Sequence, residues 1–396
     1  MSNSSKNLLE RSKAMEKEII DLRRLLHRHP ELSFQETETA RLSAERLRSL
    51  GFTVRESIAR TGVVGDLSSG KRIIGIRADM DGLPILESNK AGYSSENKGV
   101  MHACGHDAHV SCGLHAARLL SEMDSLPGSV RILMQPAEEA VDEEGKSGAC
   151  RMVEEGVMDG VSAVIGLHMD ASIPAGKVAI MPGPVMASCD MFEIVIQGKG
   201  GHGAYPETTI DAVVLAAQVI NAIQQIISRR IPALEPAVIT VGSIQSSSTR
   251  GNVISDRVTL IGTVRSFNED LRKKLQVEIE RCCKLVRAYG ADYTLHYETG
   301  GYPTTVNDPK VAAVMRAAAV DLIGEENVIT VPKKTWSEDF SMLAQAAPGA
   351  FMFLGGEMKD YTRSHHSPDF DIDESGLYIG PAILAETALR LMREGE

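Results

Sequence analysis

Apolar residues recur along this chain with two alternating periods. Ile19, Ile20, Leu22, Leu25 and Leu26 fall at helical spacing until Pro30 ends the run. Residues 36–50 repeat that spacing and stop at Gly51, the residue type favoured just past a helix end. Beyond it, short apolar runs at residues 63–67, 73–77, 130–135 and 163–167 predict strands, with helical patterns at 107–123 and 148–155 between them. Such alternation is the signature of an α/β domain whose mostly parallel sheet carries helices on both faces.

The pattern changes at Met181-Pro-Gly-Pro184. A strand (191–197), a long helix (209–229), two consecutive strands (238–245, 258–266), a helix (269–289) and a strand (292–298) follow. This β-α-β-β-α-β order is the split βαβ arrangement of ferredoxin-like domains. After Gly300-Gly-Tyr-Pro303 the chain returns to α/β alternation, with helices at 309–323, 339–346 and 374–393 and strands at 328–331 and 350–354. The expected organisation is an α/β domain (1–184 and 300–396) interrupted by an inserted α+β domain (185–299).

Composition narrows the function classes. The 396 residues carry a net charge of −11 and no basic stripe, which disfavours nucleic acid as a partner. No apolar run approaches the roughly 20 residues of a membrane-spanning helix, and residues 1–18 lack the apolar core of a signal peptide. Six cysteines without a framework of spacings point to a reducing compartment, so a cytoplasmic protein is expected.

The densest chemical signal is Met101-His-Ala-Cys-Gly-His-Asp-Ala-His109, which holds three of the chain's 11 histidines. Cys104 and His106 are borderline-soft donors suited to zinc, nickel or cobalt, and Asp107 could orient or bridge. The alternative is a His-rich helix start capped by Asp107, with Cys104 as a small core residue. Ile132-Leu-Met-Gln-Pro-Ala-Glu-Glu139 runs an apolar strand into two adjacent acids, where one carboxylate can bind metal and the other can move protons. Alone it is also an acceptable helix start. His168 ends the apolar run Val164-Ile-Gly-Leu, His365-His366 precede an acid-rich loop, and Arg77-Ala-Asp-Met-Asp-Gly-Leu-Pro84 follows a strand. Cys104, His106, Glu139, His168 and His366 together exceed the three protein ligands of a usual single catalytic zinc and suit two metals sharing a bridging ligand.

In the inserted region, Gly198-Lys-Gly-Gly-His-Gly-Ala-Tyr-Pro206 lacks the spacing of a phosphate loop, and places His202 on a Gly-flanked loop able to reach into a cleft. Asn252 and Arg265 suit oxyanion donation and carboxylate recognition respectively, although turn and surface roles fit them equally well.

Taken in order, R-A-D-M-D-G-L-P, M-H-A-C-G-H-D-A-H, Q-P-A-E-E, G-L-H, G-K-G-G-H-G-A-Y-P, G-T-V-R-S-F, S-E-D-F and H-S-P resemble the amidohydrolase family of aminoacylases, hippurate hydrolases, indole-3-acetyl-amino-acid hydrolases and related carboxypeptidases. The resemblance extends from about Leu25 to Glu386. It implies a zinc-exopeptidase-like catalytic domain, a ferredoxin-like lid that also dimerises, and two divalent metals per subunit, zinc or else cobalt, manganese or nickel. By motif, Cys104 bridges the metals, His106 and Glu139 hold one metal position, and His168 and His366 complete the ligand set. Glu138 is the implied general base and acid. His202 polarises the scissile carbonyl, in this family often that of the neighbouring subunit, and Asn252 and Arg265 contact substrate. The resemblance gives Trp336-Ser-Glu-Asp-Phe340 a place lining the site without a defined role.

Two departures stand out. Other branches carry His-x-Asp where this chain has Arg77-Ala-Asp79, and a lid turn commonly Asn-Val-Ile-Pro here reads Asn252-Val-Ile-Ser255. The expected activity is metal-dependent hydrolysis of the amide of an N-acyl amino acid; the alternative is a metallo-carboxypeptidase acting on short or N-blocked peptides. The expected partners are that small substrate and a second copy of the chain, as a homodimer or dimer of dimers, with neither nucleic acid nor membrane.

Overall fold

The structure, a computed structural model, describes residues 3–70, 72–298, 301–360 and 363–394. The expected boundary at residues 299 and 300, with Gly300 itself, lies outside them. Two compact units emerge: residues up to 183 with 306–332 and 339 onward, and residues 184–305 with 333–338.

In chain order, α1 (Asn3–Ala14), α2 (Glu16–Arg28) and α3 (Thr37–Ser49) precede β1 (Thr53–Ile58), β2 (Gly62–Leu67) and β3 (Ile73–Asp79). Next come α4 (His106–Ser121), β4 (Ser129–Gln135), α5 (Gly148–Glu154), β5 (Val161–Pro174), β6 (Val178–Ala179) and the junction strand β7 (Gly183–Met186). The second unit holds β8 (Asp190–Gln197), β9 (Gly201–His202), α6 (Ala212–Arg229), β10 (Ala237–Ser246), β11 (Val253–Ile254), β12 (Arg257–Ser266), α7 (Glu269–Cys283) and β13 (Asp292–Glu298). After β14 (Thr305–Asn307), the chain ends with α8 (Pro309–Ile323), β15 (Val328–Ile329), α9 (Phe340–Ala346), β16 (Gly349–Glu357) and α10 (Ile379–Arg393).

The first unit is built on an eight-stranded sheet of order β1-β2-β4-β3-β5-β16-β6-β15. Its centre is parallel, since β3 pairs in parallel with β4 and β5, and β5 with β16. β1, β2 and the β6–β16 contact are antiparallel, so the sheet is mixed. Helices cover both faces. A Cβ on Gly166 of β5 would meet Phe340 of α9, whereas the next residue, Leu167, packs against Gly380 of α10. Successive strand residues point to opposite faces, so α9 and α10 sandwich the sheet. Near-continuous burial of β3, β4, β5 and β16 follows from this double cover.

In the second unit, the sheet order β10-β12-β8-β13 is fully antiparallel. With α6 and α7 inserted after β8 and β12, this is the split βαβ topology expected from the sequence. Alternate residues of β8 and β12 are buried beneath the two helices. Helix α6, 18 residues long, is apolar enough by length and composition to cross a membrane, although Gln218, Asn221, Gln224 and Gln225 interrupt its apolar run. Its Leu215, Ala216, Val219, Ile223 and Ile226 are nevertheless buried in the unit's own core, with Phe192, Leu260 and Ile279. That is how an amphipathic core helix passes such a test.

Candidate metal centre

The carboxyl ends of β3, β4 and β5 lie side by side, and each delivers polar groups to one place. This is where ligands gather on open α/β sheets. β3 ends at Asp79, with Asp81 just beyond. β4 runs through Gln135 and Pro136 to Glu138 and Glu139, and β5 carries His168. Helix α4 begins at His106 after Gly105, whose φ of +101° no L side chain adopts readily. A Cβ there would also lie 2.9 Å from Met169, so glycine lets the Cys104–His106 turn sit against β5. Ala137 and His366, each flanking or carrying a candidate group, take positive φ of 45° and 62°. Such backbone is costly for non-glycine residues and clusters at functional sites.

The imidazoles of His106 and His168 are each held by one nitrogen and offer the other. His106 Nδ1 donates to the Asp81 carbonyl at 2.9 Å, with Asp81 Oδ1 at 3.1 Å, which leaves Nε2 directed at the centre. His168 Nδ1 donates to the Met169 carbonyl at 2.6 Å, and its Nε2 lies 3.5 Å from Cys104 Sγ. His366 Nε2 stands 3.2 Å from Glu139 Oε1. His106 Nε2 is 3.8 Å from Glu139 Oε1 and 4.0 Å from Glu138 Oε2. Holding Nδ1 by a carbonyl or carboxylate fixes the tautomer that ligates through Nε2.

The donors form overlapping triads within 4.8 Å: Cys104, His106 and His168; Cys104, Glu139 and His366; His106, Glu138 and Glu139. Cys104 belongs to two of them. His106 Nε2 and Glu139 Oε1 are buried without a hydrogen-bond partner. Burial, then Glu139 and Glu138, push the Cys104 thiol well above its ordinary range. Burial disfavours a charged His106, yet Asp79, Asp81 and Glu139 outweigh it and lift its pKa to about 10. Burial and neighbouring histidines hold His168 neutral. Acids that demand positive charge at one point, beside a thiol and neutral imidazoles, fit a divalent cation.

Other members of the His-rich motif face elsewhere. Asp107 neither orients nor bridges the centre: its Oδ2 lies 2.7 Å from both Arg23 Nε and His27 Nδ1. His102 is in none of these triads, and burial lowers its pKa to about 4. His109 accepts the Met169 N–H on Nε2 at 2.8 Å, so Nδ1 carries the proton and donates to Asp79 Oδ1 at 2.6 Å. Both its nitrogens are used, so His109 braces Asp79 instead of binding an ion. Asp81 and His109 had no assigned role in the sequence; a carboxylate two residues past the Asp79 strand end was the available sign of Asp81.

In the second unit, His202 on β9 pairs with Val253 on β11, and Gly203 N–H donates to the Asn252 carbonyl at 2.8 Å. His202 and Asn252 are thus neighbours on an exposed two-stranded ribbon. His202 Nδ1 accepts the Ala204 N–H at 3.1 Å, which leaves Nε2–H as an outward donor. Arg265 lies apart on β12, where Nη1 contacts Cys189 Sγ at 2.8 Å and the Val264 carbonyl at 3.2 Å.

Adjacent acids and Cys/His donors at the ends of parallel strands, on a helix-covered sheet with an inserted α+β unit, have the makings of a metal-assisted hydrolase. The chain belongs to Peptidase family M20/M25/M40, whose model matches residues 75–390. Thermostable carboxypeptidase 2 of Saccharolobus solfataricus is 40% identical over 386 residues, covering 96% of each chain. N-acetyl-L-cysteine deacetylase of Bacillus subtilis is 39% identical over 388 residues, covering 96% of this chain and 90% of that protein. Among solved structures, the Bacillus subtilis YXEP protein, described as a dinuclear metal binding peptidase, superposes with a TM-score of 0.83 at 32% identity, covering 96% of this chain and 99% of that one.

Proposed function

We propose that this chain is a two-metal amidohydrolase that splits N-acyl amino acids into acid and free amino acid. The observation that carries the reading is the sharing of Cys104 between two donor triads, with Glu138 beside them. His106 and His168 would complete one position and Glu139 and His366 the other. Two divalent ions held there, zinc or else cobalt, manganese or nickel, supply Lewis acidity to a water and to the scissile carbonyl. Glu138, within 4.0 Å of His106 Nε2 and not needed by either Cys104 triad, takes the proton of the attacking water and returns it to the leaving amine. His202, with Nε2–H directed outward, donates to the developing oxyanion. Asn252 beside it contacts the substrate, and Arg265 takes the free carboxylate. The inserted unit serves as lid and dimerisation domain, its His202 reaching a neighbouring subunit's site in a homodimer or dimer of dimers. A cytoplasmic enzyme fits the six free cysteines.

The second reading, a metallo-carboxypeptidase, is favoured by the identity to the archaeal carboxypeptidase. One experiment separates them. Metal-free protein is loaded with each of the four metals, its metal content is measured, and N-acetyl, N-benzoyl and indole-3-acetyl amino acids are compared with N-blocked dipeptides. Two metals per chain and preference for the acyl amino acids are expected. Full activity with one metal or none overturns the two-metal reading, and preference for blocked dipeptides selects the carboxypeptidase.

A further inference from the structure

The guanidinium of Arg77 is a hub below the centre. Its side chain is fully buried, as are those of Asp79 and Asp339. Three different directions of the fork are used. Nε donates to Gln135 Oε1 at 2.8 Å, Nη1 pairs with Asp79 Oδ2 at 2.9 Å, and Nη2 pairs with Asp339 Oδ1 at 3.0 Å. Asp339 is itself saturated, accepting from both Gln135 (2.8 and 2.9 Å) and the Ala149 N–H at 3.0 Å.

Two of the partners sit at strand ends, and the third, Asp339, stands just before α9. Asp79 closes β3. Gln135 is the last residue of β4, three before Glu138, and in register with Asp79. From Asp79 the chain of bonds continues through His109 to the Met169 N–H on β5, the residue next to His168. Stability alone does not account for this cluster, because well-packed apolar side chains generally do as well as buried ion pairs or better. The planar fork does something they cannot: it fixes the angle between the ends of β3 and β4 and sets both against Asp339.

We propose that Arg77, with Asp339 as its anchor, is a positioning residue of the metal centre. It sets where Glu138, Glu139 and His168 stand by tying the carboxyl ends of β3, β4 and β5 together. This rests on the reading of that centre as a metal site. It also gives the Trp336–Phe340 motif a role, through Asp339.

The test uses the full chain, with wild type, Arg77→Lys, Asp339→Asn and the double variant measured together. Metal-free proteins are titrated with zinc against a competing chelator, and kcat and KM are measured on reloaded proteins. Lysine keeps the charge but offers its donors from a single nitrogen in place of a planar fork, so Arg77→Lys should weaken zinc binding and lower kcat each by roughly 10–100-fold, the range seen when outer partners of metal ligands are lost. KM should stay near wild type. Asp339→Asn keeps the size of Arg77's anchor but removes its charge, with Arg77 and Asp79 themselves unaltered, and should move both readouts in the same direction by less. The double variant should be no worse than Arg77→Lys, because the pair acts as a unit.

Variants that melt earlier yet bind zinc and turn over like wild type would reduce the cluster to a brace of the fold and overturn the proposal. Additive losses in the double variant would overturn the shared role. If Arg77→Lys does not fold, Asp339→Asn decides by the same two readouts. A wild type that binds no zinc pair sinks the two-metal reading itself; a wild type that does, beside an unimpaired Arg77→Lys, sinks only this inference.

Discussion

The two units place their functional groups in opposite ways. In the first, Cys104, His106 and His168 are 5%, 0% and 1% exposed, and both imidazoles are pinned by a backbone carbonyl or a carboxylate; His366, exposed on its loop, is the exception. In the second, His202 and Asn252 are exposed on a ribbon threaded with Gly200, Gly201 and Gly203. Gly201 and Gly203 accept the crowding of Thr209 and of the Asn252 backbone, whose atoms a Cβ would meet at 2.6 and 3.2 Å. The contrast has a physical basis. Ligands to an ion must be arrayed before it arrives, since misplacement by a fraction of an ångström forfeits affinity, and burial in rigid strand ends does that. A donor to a substrate has to leave room for entry and exit, so it belongs on a segment with little buried around it.

The comparison is broken most severely at Cys104. Cys104→Ala removes the donor common to two triads, so metal should be lost from both positions and activity fall to background; elemental analysis showing one retained ion would deny the sharing. Glu138→Gln comes next. Turnover should fall by roughly 10²–10⁴-fold while metal content stays at the wild-type level, and an emptied site would mean that Glu138 and Glu139 have exchanged roles.

His202→Ala tests the exposed side of the contrast. Here kcat should drop by about 10²–10³-fold, with KM and metal content nearly unchanged, because an oxyanion donor acts in the transition state. Mixing inactive His202→Ala with inactive Glu138→Gln should restore up to about a quarter of wild-type activity if the histidine serves a neighbouring subunit. No recovery after proven subunit exchange assigns it to its own chain. The smallest effects sharpen the division itself. Asp308 caps α8 in the first unit and Asp211 caps α6 in the second, each accepting two backbone N–H groups. Replacing either by Ala should cost about 1 kcal/mol. In urea melts followed by proteolysis, each loss should appear in its own unit's transition; a common shift would make the two units one cooperative body.

Much of this architecture is legible in the apolar pattern, and the exceptions share a cause. The bounds of β13 and α8 agree with the sequence reading residue for residue, because strict alternation and an Asp-Pro helix start mark them. β1 escapes it: Thr53–Ile58 is an edge strand with no buried residue, so no period of two is written into it. α1 is missed for the same reason, its first residues being polar. β5 is longer than expected because Met169–Pro174 continues past the apolar run, paired to β16. The last helix begins at Ile379 instead of Glu374, where Asp373 caps a separate turn. At the site, donor types are visible in the chain but their supports are not. Asp107 looks like a ligand's neighbour until Arg23 and His27, remote in sequence, claim it. Likewise, nothing local pairs Arg77 with Asp339, which lies 262 residues away.

The insertion of residues 184–305 also orders the birth of the molecule. β16, which lies between β5 and β6 in the sheet, is translated only after the whole inserted unit. On the ribosome, where domains fold as they emerge, the inserted unit can complete its own core while the sheet beside it still lacks a central member. Until residues 349–357 appear, the strand bearing His168 presents a bare hydrogen-bonding edge. Open edges of this kind invite wrong pairings. A nascent chain paused before β16 is therefore the form of this protein most open to wrong pairing, and the donor set is complete only once His366, beyond β16, has emerged.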